Sequence, residues 1–281
     1  MLDLVGGFLL ALLPALPILF WLRRNNARNL DTTPGWSART DSQSARIDSQ
    51  SARIEPWSAR GEPAGRESAP RKSGGMIGRG LLLGFFAVAP AAIIEFFLYY
   101  AAAPLVGLGQ RLFEAFILAA LVEEGLKFAF LKRWLWRRPE FSTATDGIVY
   151  AVAVSLGFAV IENFVYTWHR PDLLLIRSLT AVPLHAIATG QLGFWLGLEK
   201  MREGGHALAT FPKGGWMRGL ASAVFIHGSY DFLILGGDWS AFLVLPLLLV
   251  AFFLLRRRFA FAGRIDEEAG LSVDSLKRKP S

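Results

Sequence analysis

Residues Leu121 to Trp134 read LVEEGLKFAFLKRW. Two adjacent carboxylates, Glu123 and Glu124, interrupt a long apolar run, and Lys127 follows one helical turn after Glu123. A soluble amphipathic helix would set such charges on one wet face, but here the surroundings are apolar on both sides. Charged groups at bilayer depth are costly and by default mark a functional site. The stretch therefore reads as a membrane-embedded helix, and the rest of the chain as a scaffold that brings further polar side chains to it.

Working outward, the composition agrees. The chain has 281 residues, 53% of them hydrophobic, with 22 Phe and 9 Trp, which fits an integral membrane protein. Its net charge of +7 is held by basic residues at the ends of apolar runs, the pattern by which membrane proteins set their orientation. No interleaving of basic and aromatic residues suggests nucleic acid, and none is expected as a partner; the lipid bilayer is. The absence of Cys excludes disulfides and thiolate metal sites. Of the four His, His185 and His227 lie inside apolar runs, whereas His169 and His206 lie in loops.

The fold expected is an all-α, polytopic transmembrane bundle of about seven spans, each near the roughly 20 residues a bilayer requires. The first covers residues 4–22 and is followed, not preceded, by Arg23, Arg24 and Arg28. It therefore reads as a retained span with its N-terminus outside rather than a signal peptide. Residues 25–78 form a disordered basic linker in which SARTDSQ, SARIDSQ and SARIEPW recur from Ser37, Ser44 and Ser51. Its prolines and sparse apolar residues exclude a coiled coil. Six more spans follow at 79–103, 110–134, 145–168, 176–200, 216–235 and 239–255. With the linker inside, Lys132, Arg133, Arg137, Arg138, Lys200, Arg202, Lys213, Arg218 and Arg256 to Arg258 also fall inside. Only Arg111, Arg170 and Arg177 fall outside, in accord with the positive-inside rule. The organisation expected is an N-terminal span (1–24), the linker (25–78), a membrane unit (79–258) and a polar cytoplasmic tail (259–281).

Polar residues recur span by span inside the membrane unit. At 100° per residue Glu123 and Lys127 share a face, and Glu124 is expected to point elsewhere. The next span carries Glu162 and Asn163 in GFAVIEN, with Phe158 one turn before Glu162. Then come His185 with Thr189 on the same face, and His227 with Asp231 in HGSYD, again four apart. That last spacing sets an imidazole and a carboxylate on one helix face, where the carboxylate can orient the ring or both can hold a metal or water. Glu162, His185, His227 and Asp231 fall at similar heights near the outer ends of their spans, with Glu123 somewhat deeper. A single polar cavity in the outer half of the membrane is the expectation. Glu95 is read as pairing with a polar neighbour on another helix, Glu114 as solvated, and Asp146 as capping its helix.

Carboxylates beside a cation and two imidazoles can activate water, with a divalent metal or with a Glu alone as general base. The His and carboxylate donors suit Zn²⁺. HExxH is absent, no GxSxG elbow supports a serine mechanism, and Asp231 and Asp238 lie too close in sequence for an aspartyl dyad on two helices. A proton-coupled transporter or a non-catalytic membrane scaffold could use the same cavity.

Three motifs in order carry a resemblance. EExxK at Glu123 to Lys127, FxxxE at Phe158 to Glu162 and HxxxD at His227 to Asp231 resemble the PrsW family of intramembrane proteases. His185 looks like that family's additional histidine. The related type II CAAX prenyl proteases show EExxxR, FxxxH and HxxxN instead, and each departure here goes toward PrsW. The likeness covers roughly residues 79–258. It implies an intramembrane endopeptidase performing site-1 cleavage of a membrane-anchored protein, such as an anti-sigma factor, in the inner membrane of a bacterial cell. It also implies Glu123, Glu124, Glu162, His227 and Asp231 as the catalytic set, with Glu123 as the water-activating base. Lys127, His185 and Asn163 would support them, with Zn²⁺ held among Glu162, His185, His227 and Asp231 or with a metal-free glutamate mechanism.

Overall fold

A computed structural model of the chain describes residues 15–20, 73–204 and 213–269, with Ser73, His169 and Asp238 described in backbone only. Every regular element among the described residues is helical. Helix α1 spans Ser73–Ala101. Helix α2 is a continuous rod over 107–135, α-helical at Gly107–Leu112 and Val122–Phe130 and π-helical at Phe113–Leu121 and Leu131–Leu135. Then follow α3 (Ala144–His169), α4 (Leu174–Glu203), α5 (Gly215–Leu235) and α6 (Val244–Glu268). A short 3₁₀ turn, Pro171–Leu173, joins α3 to α4, and a single turn, Asp238–Ala241, precedes α6. The repeat linker lies outside the described residues, as does the first expected span apart from one helical turn at 15–20.

Among the described residues, four helices are long and apolar enough to cross a membrane: Gly74–Ala101, Ala144–Trp168, Pro171–Glu203 and Trp239–Glu268. The α2 rod and α5 are less apolar because they carry Glu123, Glu124 and Lys127, and His227 and Asp231, respectively. Helix α5 has 21 residues, which at 1.5 Å per residue gives roughly 31 Å, about the hydrocarbon thickness.

Helices α3 and α4 form the centre. Gly147 of α3 sits against Gly193 and Gly197 of α4, so closely that a Cβ on any of the three would collide with backbone across the interface. Helix α1 docks on α3 in the same way, with Gly84 against the backbone of Val154 and Phe158 and Gly157 against Leu81. In lipid the apolar surroundings give helices no hydrophobic reason to associate. Close packing of small residues at the crossings takes that role.

The start of α3 is fixed twice. Thr143 and Asp146 form a capping box: the Asp146 N–H donates to Thr143 Oγ1 and the Thr143 N–H to Asp146 Oδ2, each at 3.0 Å. The cap expected of Asp146 is thus present. Asp266, at the far end of α6, then accepts from the N–H groups of Ala144 (2.8 Å) and Thr145 (3.0 Å). Helix α6 accordingly runs past its expected end at Leu255 to Glu268, because Ala262, Ile265 and Asp266 share a buried stripe. The segment read as a polar tail begins as packed helix.

Candidate active site

The site grows from the α-helical piece of α2 between its two π stretches. Widened turns of this kind recur at functional sites. Glu123, Glu124 and Lys127 are all buried here. Lys127 Nζ lies 3.1 Å from Glu123 Oε2, 2.8 Å from Glu124 Oε1 and 2.8 Å from His185 Nδ1. An ammonium has three N–H donors and no acceptor, so these contacts use all three. They also require His185 Nδ1 to accept, which puts the ring proton on Nε2. Phe158 presents its ring face to the ammonium, 4.2 Å from the centroid. Contrary to expectation, Glu124 does not point away. Residues three apart on a helix are neighbours as much as those four apart, so Lys127 bridges both carboxylates.

Glu124 is the more tightly held of the pair. Besides Lys127, its Oε1 lies 3.1 Å from His227 Nδ1, and its Oε2 accepts from the Thr189 hydroxyl at 2.7 Å. Thr189 Oγ1 is in turn 2.9 Å from Ser155 Oγ. Glu123 Oε2 stands farther from the two rings, 3.7 Å from His185 Nδ1 and 4.0 Å from His227 Nε2. The rings themselves meet edge to face with centroids 4.8 Å apart.

Two more carboxylates border the rings. Glu162 Oε2 lies 2.6 Å from His185 Nε2 and Asp231 Oδ2 lies 3.3 Å from His227 Nε2. Each of these buried oxygens meets only the ring nitrogen beside it, out of line for a hydrogen bond. Arg177 secures Glu162: Nη2 donates to Glu162 Oε1 at 2.6 Å, Nε donates to Asn163 Oδ1 at 3.0 Å, and the guanidinium lies 3.9 Å from the Tyr166 ring centroid. Asn163 also donates to Ser178 Oγ at 3.2 Å.

Helices α2 to α5 thus bring Glu123, Glu124, Lys127, Glu162, His185, His227 and Asp231 into one cluster. Asn163 stands beside it, bonded to Arg177 and Ser178 rather than to the carboxylate pair. Glu114 accepts from Gln110 Nε2 at 2.8 Å on its own helix, away from the cluster. Glu95 does not find the partner expected of it: its Oε1 is buried and unbonded. The sequence reading missed Arg177 as a site residue and left Thr189 without a role. Their spacing was the available signal, since 177, 181, 185 and 189 recur every four residues along one face of α4.

The cluster suits a divalent cation. Glu123, His185 and His227 offer donor atoms that all lie within 4.8 Å of one another. Two further carboxylate oxygens, on Glu162 and Asp231, face the same two rings with no other donor. Four carboxylates share the cluster with two cations, Lys127 and Arg177, and two imidazoles in an apolar bundle, where a charge without a partner is expensive. Nitrogen and oxygen donors of this kind are those zinc takes.

A family model described as "PrsW family intramembrane metalloprotease" matches residues 73–256. The chain belongs to that family. Protease PrsW of Bacillus subtilis (strain 168) is 31% identical over 185 residues, 65% of this chain and 80% of that protein. Protease PrsW of Halalkalibacterium halodurans is 32% identical over 157 residues, 55% of this chain and 70% of that protein. The Oceanobacillus iheyensis protein of the same name is 28% identical over 187 residues. No solved structure matches the chain. PrsW membership makes the chain a membrane-embedded peptidase, in place of the transporter or scaffold that its polar cavity alone would allow.

Proposed function

We propose that this chain is a seven-span PrsW protease of the bacterial inner membrane that makes a site-1 cut in a membrane-anchored regulatory protein such as an anti-sigma factor. In this reading the N-terminus lies outside and the C-terminus in the cytoplasm, as the distribution of Lys and Arg favours. The span at 1–24, the linker at 25–78 and the segment at 259–281 flank a protease unit at 79–258. One observation carries the catalytic assignment. A single buried ammonium, Lys127, is shared by Glu123, Glu124 and His185, with His227 on the same carboxylate pair.

The roles follow from how firmly each group is held. Glu123 is the less constrained carboxylate and stands within 4.0 Å of a nitrogen of each ring. It takes the proton of the attacking water and passes it to the leaving amine. Glu124, fixed by Lys127, Thr189 and His227, orients His227 and keeps the ammonium in place. His185 and His227, with Glu162 and Asp231 beside them, would hold Zn²⁺; when bound, the ion supplies Lewis acidity toward the scissile carbonyl and the water. Arg177 holds Glu162 in position. Burial keeps bulk water from screening these charges.

The test is cleavage of a single-span reporter by purified protein in proteoliposomes, with products read by mass spectrometry. Wild type should cut, and Glu123→Gln and His227→Ala should each lose roughly 100-fold or more while remaining folded and inserted. Undiminished cleavage by Glu123→Gln would remove it as the base.

A further inference from the structure

Glu95 lies on α1 one turn beyond the residues that pack against Phe158 of the site. Helix α1 packs on α3 through a stripe of small residues, Gly84, Ala87 and Ala91. Ala87 and Ala91 cluster with Phe158, Val122 and Leu126. Glu95 is the next residue on that stripe, one turn beyond Ala91, just as Glu162 lies one turn beyond Phe158 on α3. Its electrostatic neighbours are Glu162, Lys127, His227 and Asp231. Beyond Ala91 the helix leaves the core, and none of its apolar side chains from Ala92 to Ala101 is buried. The cluster is closed at Glu123, Glu124 and Lys127 but partly exposed at this level, where the side chains of Glu162 and Asp231 are 17% and 24% exposed. Glu95 is also the sole acidic residue of α1, so a lipid-facing helix brings one carboxylate to the mouth of the site.

Charge then says what would fit there. Glu95 adds a fifth carboxylate to the cluster, against Lys127 and Arg177. The Glu95 oxygen turned into the protein has no donor, and an acceptor in that position is costly until something supplies one. We infer that Glu95 is a specificity residue, forming with the Glu162–Asp231 edge a subsite for a cationic side chain, Lys or Arg, of the substrate segment that enters between α1 and the cluster. The inference rests on the protease reading of that cluster.

The experiment compares three reporters that differ at one residue, Lys, Leu or Glu, placed in turn at successive positions around the scissile bond. Cleavage is read in proteoliposomes, and binding of the same segments to the Glu123→Gln protein is read by fluorescence quenching. At one position the Lys reporter should be preferred over Leu by about tenfold or more. Glu95→Gln should bring that ratio toward one, and Glu95→Lys should turn the preference toward Glu. A preference that Glu95→Gln leaves intact, or no preference at any position, would overturn the inference. A Lys preference in binding without cleavage of any reporter would support the subsite and count against the protease reading alone. Cleavage without charge preference would leave the protease standing and remove Glu95 as a specificity residue.

Discussion

The central pair of helices and the flanking pair are built on opposite terms. Within their most apolar windows, 78% of α3 and 61% of α4 are buried inside the protein, whereas the corresponding share is 17% for both α1 and the segment that contains α6. The central pair meets through glycines at backbone contact and carries Glu162, Asn163, His185 and Thr189. The flanking pair shows Phe, Tyr, Leu and Ile outward, including Phe96, Phe97, Tyr99, Phe252 and Phe253. The difference teaches where a membrane protein can hold ionisable groups. They stand where protein surrounds them, and the helices that face lipid shield that interior while keeping few charges of their own.

The contrast can be broken most severely at its centre. Lys127→Met would leave two buried carboxylates without their shared cation, a change expected to cost about 3–5 kcal/mol and to reduce reporter cleavage below detection. Thermal unfolding in detergent and the cleavage assay would measure the two effects. Next in size is Gly193→Leu, whose side chain must enter the backbone of α3 at Gly147. We expect a loss of about 3 kcal/mol or more, seen as early unfolding and proteolysis. An equally stable variant would show that the α3–α4 contact is looser than described. Thr189→Val keeps the shape but removes a hydroxyl from Glu124, a cost of about 1–3 kcal/mol to the folded protein, so the melting temperature should fall by a few degrees and cleavage by about tenfold or more. The mildest change is Asp266→Ala, which strips two N–H groups at the start of α3 of their acceptor. It should cost about 1 kcal/mol or more in stability and leave reporter cleavage within about twofold, since a helix cap away from the site acts on folding.

Much of this organisation was legible in the sequence, for physical reasons. The expected spans at 110–134, 145–168, 176–200 and 216–235 coincide with α2 to α5 within a few residues, because hydropathy and helix periodicity act locally. The cluster was legible too, since ionisable groups in apolar runs have few reasons to be there. Tertiary pairing was not. Arg177 reads from sequence as a flanking loop charge, and only the packing of α3 on α4 shows that its guanidinium reaches Glu162. Likewise, the four-residue spacing singles out Glu123 as the partner of Lys127, whereas the three-residue spacing of Glu124 serves as well, and only the folded bundle shows that Thr189 and His227 hold it there. The extension of α6 to Glu268 depends on a cap provided to a distant helix, which no local pattern in α6 announces.

The central claim is that the cluster on α2 to α5 is a divalent-cation centre for peptide hydrolysis. The most direct measurement is the metal content of purified, chelator-free protein by mass spectrometry, for wild type beside His227→Ala, with cleavage assayed on the same samples. The account predicts about one zinc per chain in active wild type, lost together with activity in the variant. Fully active wild type carrying no metal would contradict it and would leave Glu123 to activate water alone.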